Sequence, residues 1–512
     1  MTPPTCERHG VPCKVLERRQ AAPSGQALDR GARWEMSVEN RPVTGSPAAR
    51  THDVRKASTE SDGGRRGPAR PSGEQGLEGR RTRAPLYAVL GANAVSQIGD
   101  LTVAVAMPWF VLKTTGSVVQ MGVAGGVVAL GALLASVAGG PLIDRFGLRR
   151  ASIVSDVTAG AAVAAIPLLY WSDRLPFGVF LALAFLISVL NAPGDLARRS
   201  LVPTLARWAV MPLERANSID TSIPRLAQLV GPVVGGVLIV LVGAANVLLL
   251  NAATFALSAA AVLVGVPSRA DHHAAGGDAA AAGHEPAFVD CRMTKSPAQQ
   301  YWEELRVGFR FVRSSGLLLS LLAIVTVANL LEKPLMSVVA PVYAEEYYGS
   351  AASFGSMLGA FGAGALLGAI GFAMVAGRLP RRGTFVVCLL LAPAVMFTAL
   401  ALTPPLPLLL VAMVISGVIF GPMNAVSATV VQEATPPQLL GRVFGTLTSI
   451  SMVGIPVGTT VVGMLISDLG LIPTMLCMTA VYLALGIVMA LNPALKAMQP
   501  RTDLPVDVIR GG

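Results

Sequence analysis

Seven stretches of this chain run for at least 20 residues without Asp, Glu, Lys or Arg. They lie between Lys113 and Asp144, Arg174 and Asp195, Arg225 and Arg269, Glu346 and Arg378, Arg382 and Glu433, Arg442 and Asp468, and Asp468 and Lys496. A helix needs about 20 apolar residues to cross the hydrocarbon core of a bilayer, so the pattern predicts an all-α membrane protein. The two longest stretches each hold a turn signal, VGAAN at 242–246 and TPPLP at 403–407, and each is read as a hairpin of two helices. Helices near 86–112, 151–172 and 317–342 bring the expected number of crossings to twelve.

Composition agrees. Charged residues make up 14% of the chain, against about 25% in soluble domains, too few to clothe a water-facing surface. Residues 1–85 alone hold 16 Lys/Arg and 10 Asp/Glu, so the net +10 describes mainly a tail and loops, and no nucleic-acid partner is expected. That tail is rich in Arg, Gly, Pro and Ser. It has no apolar run fit for a signal peptide and is expected to be disordered, with Met36 as an alternative start. Five scattered cysteines fit neither a disulfide framework nor a zinc site, and Cys6, His9 and Cys13 lack a fourth ligand. No metal or other cofactor is expected.

Lys and Arg gather on one side of the spans. Placing both termini in the cytoplasm puts there the tail, Arg145, Arg149, Arg150, Arg198, Arg199, Arg207, Arg215, Arg378, Arg381, Arg382 and Arg442, and leaves Lys113 and Arg174 opposite. The expected organisation is a tail (1–85), a six-helix bundle (86–267) and a cytoplasmic linker with an amphipathic juxtamembrane helix (268–316). A second six-helix bundle (317–495) and a C-terminal tail (496–512) follow. The linker's His residues are read as part of an Ala/Gly-rich spacer. The chain is expected to be a monomer, multi-pass in the plasma (inner) membrane with lipid as its surroundings.

The two bundles also match in sequence. An offset of 233 pairs Pro108 with Pro341, Gly116 with Gly349, Gly122 with Gly355, Arg145 with Arg378 and Arg149 with Arg382. Nearer the end of each bundle the offset is 227, pairing Arg215 with Arg442, Gly231 with Gly458 and Gly236 with Gly463. Two parallel six-helix repeats about an axis along the membrane normal are the layout of major facilitator transporters.

The residues carry that resemblance further. GPLIDRFGLRR after the second helix resembles the superfamily's signature loop, GxLADRxGRR, through Gly140, Asp144, Arg145, Gly147, Arg149 and Arg150, departing from it at Leu148. The resemblance implies a gating turn. Positive-inside anchoring explains the arginines equally well, though not Asp144. LVGPVVGGVL in the fifth helix resembles the GPxxGG core of the antiporter motif through Gly231, Pro232, Gly235 and Gly236, and generic close packing of helices is the alternative. ARRSLVPTLA, LERANSIDTSIPRLAQLVGP, YWEELRVGFRFVRSSGLLL and GPMNAVSATVVQEATPPQLLGRVFG are similar to the drug:proton antiporter branch that includes macrolide-efflux and enterobactin-exporter proteins.

Ionisable groups at membrane depth are costly and mark function. Asp100 lies midway along the first helix, and Glu332 and Lys333 in the seventh. The repeat places Asp100 and Lys333 at equivalent positions, so they are expected to approach across the central cavity, one carboxylate carrying a coupling proton; a permanent ion pair that fixes packing is the alternative. Asp195, Arg198, Arg199, Arg225 and Arg442 are expected at a cytoplasmic gate. Asn93, Gln97, Asn191, Asn329 and Asn424 are candidates for the substrate cavity or for interhelical hydrogen bonds.

No GxxxxGK[ST] loop is present, and no HExxH or GxSxG stands in a fitting context, so neither an ATP-driven pump nor a membrane hydrolase is expected. The expected function is export of amphipathic small molecules by proton antiport. A proton-coupled importer of the same fold and a non-transporting sensor or scaffold are the alternatives.

Overall fold

The computed structural model describes residues 83–267 and 297–498. The tail with Cys6, His9 and Cys13, the linker residues 268–296 and the C-terminal residues 499–512 lie outside the described residues. So do the side chains of residues 136–146.

Among the described residues, twelve helices are long and apolar enough to cross a membrane. The first six are α1 (Ala84–Thr115), α2 (Val118–Phe146), α3 (Leu148–Trp171), α4 (Phe177–Trp208), α5 (Leu213–Val242) and α6 (Ala244–Gly265). An amphipathic helix, α7 (Pro297–Ser314), precedes the other six. These are α8 (Gly316–Tyr348), α9 (Ala351–Val375), α10 (Arg381–Ala401), α11 (Leu406–Ala434), α12 (Pro437–Leu469) and α13 (Leu471–Leu491). Large apolar side chains such as Val264, Met374 and Leu491 point outward and exposed, which is stable only where the surroundings are lipid.

Short turns join successive spans within each half, and the repeat reappears in their geometry. α1 and α8 both stop at a glycine in the left-handed region, Gly116 at φ 63° and Gly349 at φ 61°. A residue with a Cβ is disfavoured there, so these paired glycines end the paired helices. At the opposite end, Arg149 donates to the Leu263 carbonyl at 2.7 Å and Arg382 to the Ala490 carbonyl at 2.5 Å. The donors are 233 residues apart and the acceptors 227, the two offsets read from the sequence. Each arginine thus caps the last helix of its own half, where orphan carbonyls and the negative end of the helix dipole favour a cation.

α1–α6 pack on one another, as do α8–α13, and the two groups meet through α2 against α12 and α5 against α9. Glycines make both crossings. A Cβ on Gly236 of α5 would stand 2.6 Å from the Ala351 carbonyl oxygen and 3.0 Å from Gly355 Cα; one on Gly463 of α12 would stand 3.0 Å from the Val118 oxygen and 3.1 Å from Gly122 Cα. Each residue of one crossing has its repeat partner in the other. All lie within a few turns of the ends marked by Lys113 and Glu345.

One span is irregular. Pro334 cannot donate a backbone hydrogen bond, and α8 widens there into a π turn over Leu335–Val339. The charged pair Glu332–Lys333 sits directly before it.

Candidate functional site

The polar centre of the first half is built from helical spacing. On α1, Asn93, Gln97 and Asp100 recur at i, i+4 and i+7; on α4, Asn191, Asp195 and Arg198 do the same. Such residues share one helix face, and α1 and α4 turn these faces to each other and to α3, α5 and α6.

Arg198 is the hub. Its side chain and that of Asp156 on α3 are buried to 0% and 1% exposure. Nη1 lies 2.5 Å from Asp156 Oδ1 and 3.4 Å from Ser258 Oγ on α6; Nη2 donates to Ser96 Oγ at 3.2 Å and pairs with Asp195 Oδ1. Ser258 donates to the second Asp156 oxygen at 2.7 Å, and Gln97 donates to Asp195 Oδ2 at 3.2 Å. A planar guanidinium serves two carboxylates at once in a way that an ammonium cannot.

Asp100 lies at the edge of this network. Asn191 Nδ2 donates to its Oδ2 at 2.9 Å, and among the described residues Asp100 forms no salt bridge. About two turns away, Asn93 donates to Asp220 Oδ1 on α5 at 3.0 Å. Asp156 and Asp195 thus share one guanidinium inside the bundle, and Asp100 stands beside them without it. Asn93 Oδ1, Asn191 Oδ1 and Arg198 Nε are buried without a hydrogen-bond partner among the described residues.

In the second half, Glu332 and Lys333 lie 4.0 Å apart and diverge. Glu332 turns into the bundle, beside Cys388, Met396, Phe420, Met423 and Tyr482. Lys333 is half-exposed. Asn329 donates to the Ser451 carbonyl of α12 at 3.2 Å, an interhelical bond, and Asn424 is exposed.

One expectation needs correction. Asp100 and Lys333 form no ion pair among the described residues: the partner of Asp100 is Asn191 and the neighbour of Lys333 is Glu332. Sequence register fixes equivalent positions along helices but not the direction in which each side chain turns. Asp195 and Arg198, expected at a cytoplasmic gate, belong to the cluster around Asp156. α4 continues to Trp208, because mutual neutralisation lets charged residues stay inside the bundle. Arg199, Arg225 and Arg442 have exposed side chains and do not join that cluster.

Gly140, Asp144 and Arg145 lie in the last turns of α2, their side chains outside the described residues. Gly147, at φ 79°, turns the chain into α3, Arg149 caps α6, and Arg150 is exposed. Gly231 and Gly235 let α5 approach α1 at Leu101 and Thr102, while Pro232 and Gly236 face α9. Sequence reasoning missed Asp156 and Asp220. Asp156 stands close enough to Arg149 and Arg150 to be taken with the loop charges, although its flanks, IVSDVTAG, place it within a span. The ion pair of Lys113 with Glu345 across the halves was missed as well.

Twelve spans in two repeated halves, meeting at small-residue crossings and holding charged groups at membrane depth, define a non-enzymatic, multi-pass transport protein. The chain belongs to the Major Facilitator Superfamily, whose family model matches residues 89–349 and 322–506. Multidrug efflux pump Tap of Mycobacterium tuberculosis (strain ATCC 25618 / H37Rv) is 32% identical over 432 residues, 82% of this chain and 97% of that protein. Enterobactin exporter EntS of Shigella flexneri is 25% identical over 396 residues, covering 75% and 85%. Among solved structures, nucleoside transporter NupG shares the fold with a TM-score of 0.63 at 9% identity, covering 79% of this chain and 98% of that one.

Proposed function

We propose that this protein exports amphipathic small molecules in exchange for protons, by alternating access between its two halves, with Asp100 as the carboxylate that takes up and releases the coupling proton. The observation that carries the proposal is the charge imbalance around Arg198. Asp156 and Asp195 each have the guanidinium; Asp100 has only a neutral amide. A proton supplies the counter-charge that Asp100 lacks, and its arrival or departure changes what α1 and α4 offer each other. The buried unpaired atoms on Asn93, Asn191 and Arg198 support a network that rearranges between conformers rather than one locked in a single state.

The crossings support a two-state carrier. They join the halves near the Lys113 end, while Arg225 and Leu226 on α5, nearer the arginine-rich end, are exposed. With the arginine-rich end in the cytoplasm of the plasma (inner) membrane, this conformer is closed to the outside. Export is supported by the resemblance to a multidrug efflux pump and an enterobactin exporter.

The test is reconstitution in liposomes with a trapped pH dye and a panel of amphipathic compounds. Substrate movement is expected to drive opposite proton movement, and Asp100→Asn to abolish the proton signal. Undiminished proton flux in that variant would rule Asp100 out as the carrier. Proton and substrate moving in the same direction would overturn antiport.

A further inference from the structure

A cavity lies away from the polar centre, at the Lys113 end of the first half. It measures about 240 Å³ and is walled by Phe110 and Thr114 of α1, Tyr170 and Asp173 at the end of α3, and Phe177 and Phe180 at the start of α4. We infer that this cavity is a binding site for a small organic cation, an alkyl- or arylammonium group held between aromatic rings and the Asp173 carboxylate.

The rings form a connected set. Phe110 meets Tyr170 edge-on at 5.1 Å between centroids and stacks with Phe180 at 6.0 Å, and Phe177 stacks with Phe180 at 6.2 Å. Aromatic faces carry negative charge density and attract quaternary and alkylated ammonium groups. The remaining ingredient is an acid, and its placement is specific. Asp173 ends α3 with φ at 53°, a left-handed conformation usually left to glycine, while the Arg174 N–H closes back onto the Leu169 carbonyl at 2.9 Å. That turn puts Asp173 in the wall of the aromatic cavity. Asp173 makes no ion pair among the described residues.

The site also abuts a contact between the two halves. Phe110 and Thr114 share one face of α1, while one position earlier Trp109 and Lys113 share the neighbouring face, where Lys113 stands 5.4 Å from the Trp109 ring centre and pairs with Glu345 of the other half. A ligand in the cavity therefore rests on the same helical turn that the cross-half ion pair holds. The inference concerns binding alone and does not depend on the export reading or on Asp100.

The full chain, purified in detergent, is titrated with benzyltrimethylammonium and with its neutral carbon analogue, neopentylbenzene. The cation is expected to bind more tightly than the analogue. Asp173→Asn is expected to weaken cation binding about threefold, the worth of one carboxylate at a partly exposed site. Tyr170→Leu and Phe177→Leu are each expected to weaken it by a similar factor through loss of a ring face. Size exclusion and thermal melting identify variants that fail to fold; Asp173→Asn, on an exposed turn, is the variant least exposed to that failure. No binding by the wild type, equal affinity for the two probes, or affinity unchanged in both Asp173→Asn and Phe177→Leu overturns the assignment. Repeating the titration in nanodiscs distinguishes the source of the cation. Displacement of the probe by phosphatidylcholine but not phosphatidylglycerol marks a lipid ammonium as the occupant, and equal binding in both lipids marks a soluble cation.

Discussion

Lys113, at the end of the first helix, forms an ion pair with Glu345, at the end of the seventh span, and the pair bridges the two halves of the molecule. Lys113 is half-exposed, and its ammonium also lies over the Trp109 ring. A partly solvated pair of this kind contributes about 0.2–1 kcal/mol, a shift of up to about fivefold in a two-state equilibrium. Lys113→Ala or Glu345→Gln is therefore expected to raise the population open at this end by a small factor, without unfolding the protein. Spin labels on the two halves near this end would read that population as a longer distance. Exchanging the charges, Lys113→Glu with Glu345→Lys, should restore it; a double variant as open as the single ones would show that attraction between these side chains is not what holds the end closed.

The crossing of Gly236 against Gly355 leaves no room for a side chain, and Gly122 against Gly463 repeats it. Overpacking a close contact typically costs about 1–3 kcal/mol. Here the strain falls on only one of the two proposed conformers, since the contact exists where the halves touch. Gly236→Val and Gly463→Val are expected to reduce transport by about tenfold or more while leaving expression and melting temperature near normal. Label accessibility at the Lys113 end should rise in both. Normal transport in either variant would mean that the crossing is slack or does not open and close.

Arg198 has no exposed surface and holds two carboxylates. Removing one partner of a buried charge network strands the other charges, at a cost of about 3–5 kcal/mol. Arg198→Ala should therefore lower the melting temperature of the purified protein sharply, and Arg198→Lys should recover only part of the loss because an ammonium lacks the fork that reaches Asp156 and Asp195 together. Neutralising the stranded acid, in Arg198→Met with Asp156→Asn, should recover stability beyond Arg198→Met alone. A melting temperature unmoved by Arg198→Ala would show that the network is not structural.

How much of this was legible in the sequence depends on what charge can report. Charge-free runs reveal nine of the twelve crossings because lipid excludes isolated charges; the other three each carry a charge within the span. The same rule misplaces the end of α4, since Asp195 and Arg198 neutralise each other with Asp156 and remain inside. Gly116 and Gly349, or Arg149 and Arg382, were visible as a repeat because each has a local backbone task that both halves share. The partners of Asp100 were not visible. They depend on how α1 and α4 rotate about their axes, which packing against α3, α5 and α6 decides. Lys113 and Glu345 stand 232 positions apart, and only the meeting of the halves brings them together.

Asp100 and Lys333 occupy matching places in the repeat, yet their surroundings differ enough to separate their roles. Asp100 accepts a hydrogen bond from Asn191 beside a cluster with more acid than base, so losing its charge alters the electrostatics of the whole first half. Lys333 is half-exposed, its nearest carboxylate is Glu332 at 4.0 Å, and α8 becomes irregular just beyond it. Lys333→Met is therefore expected to keep the number of protons moved per substrate, whatever it does to affinity for individual compounds, whereas Asp100→Asn is expected to remove proton movement. The two variants should be compared in one proteoliposome assay that records substrate and proton flux together. If Lys333→Met lost proton movement to the same degree as Asp100→Asn, the two residues would have to meet in the other conformer, and the coupling site would span both halves instead of lying within the first.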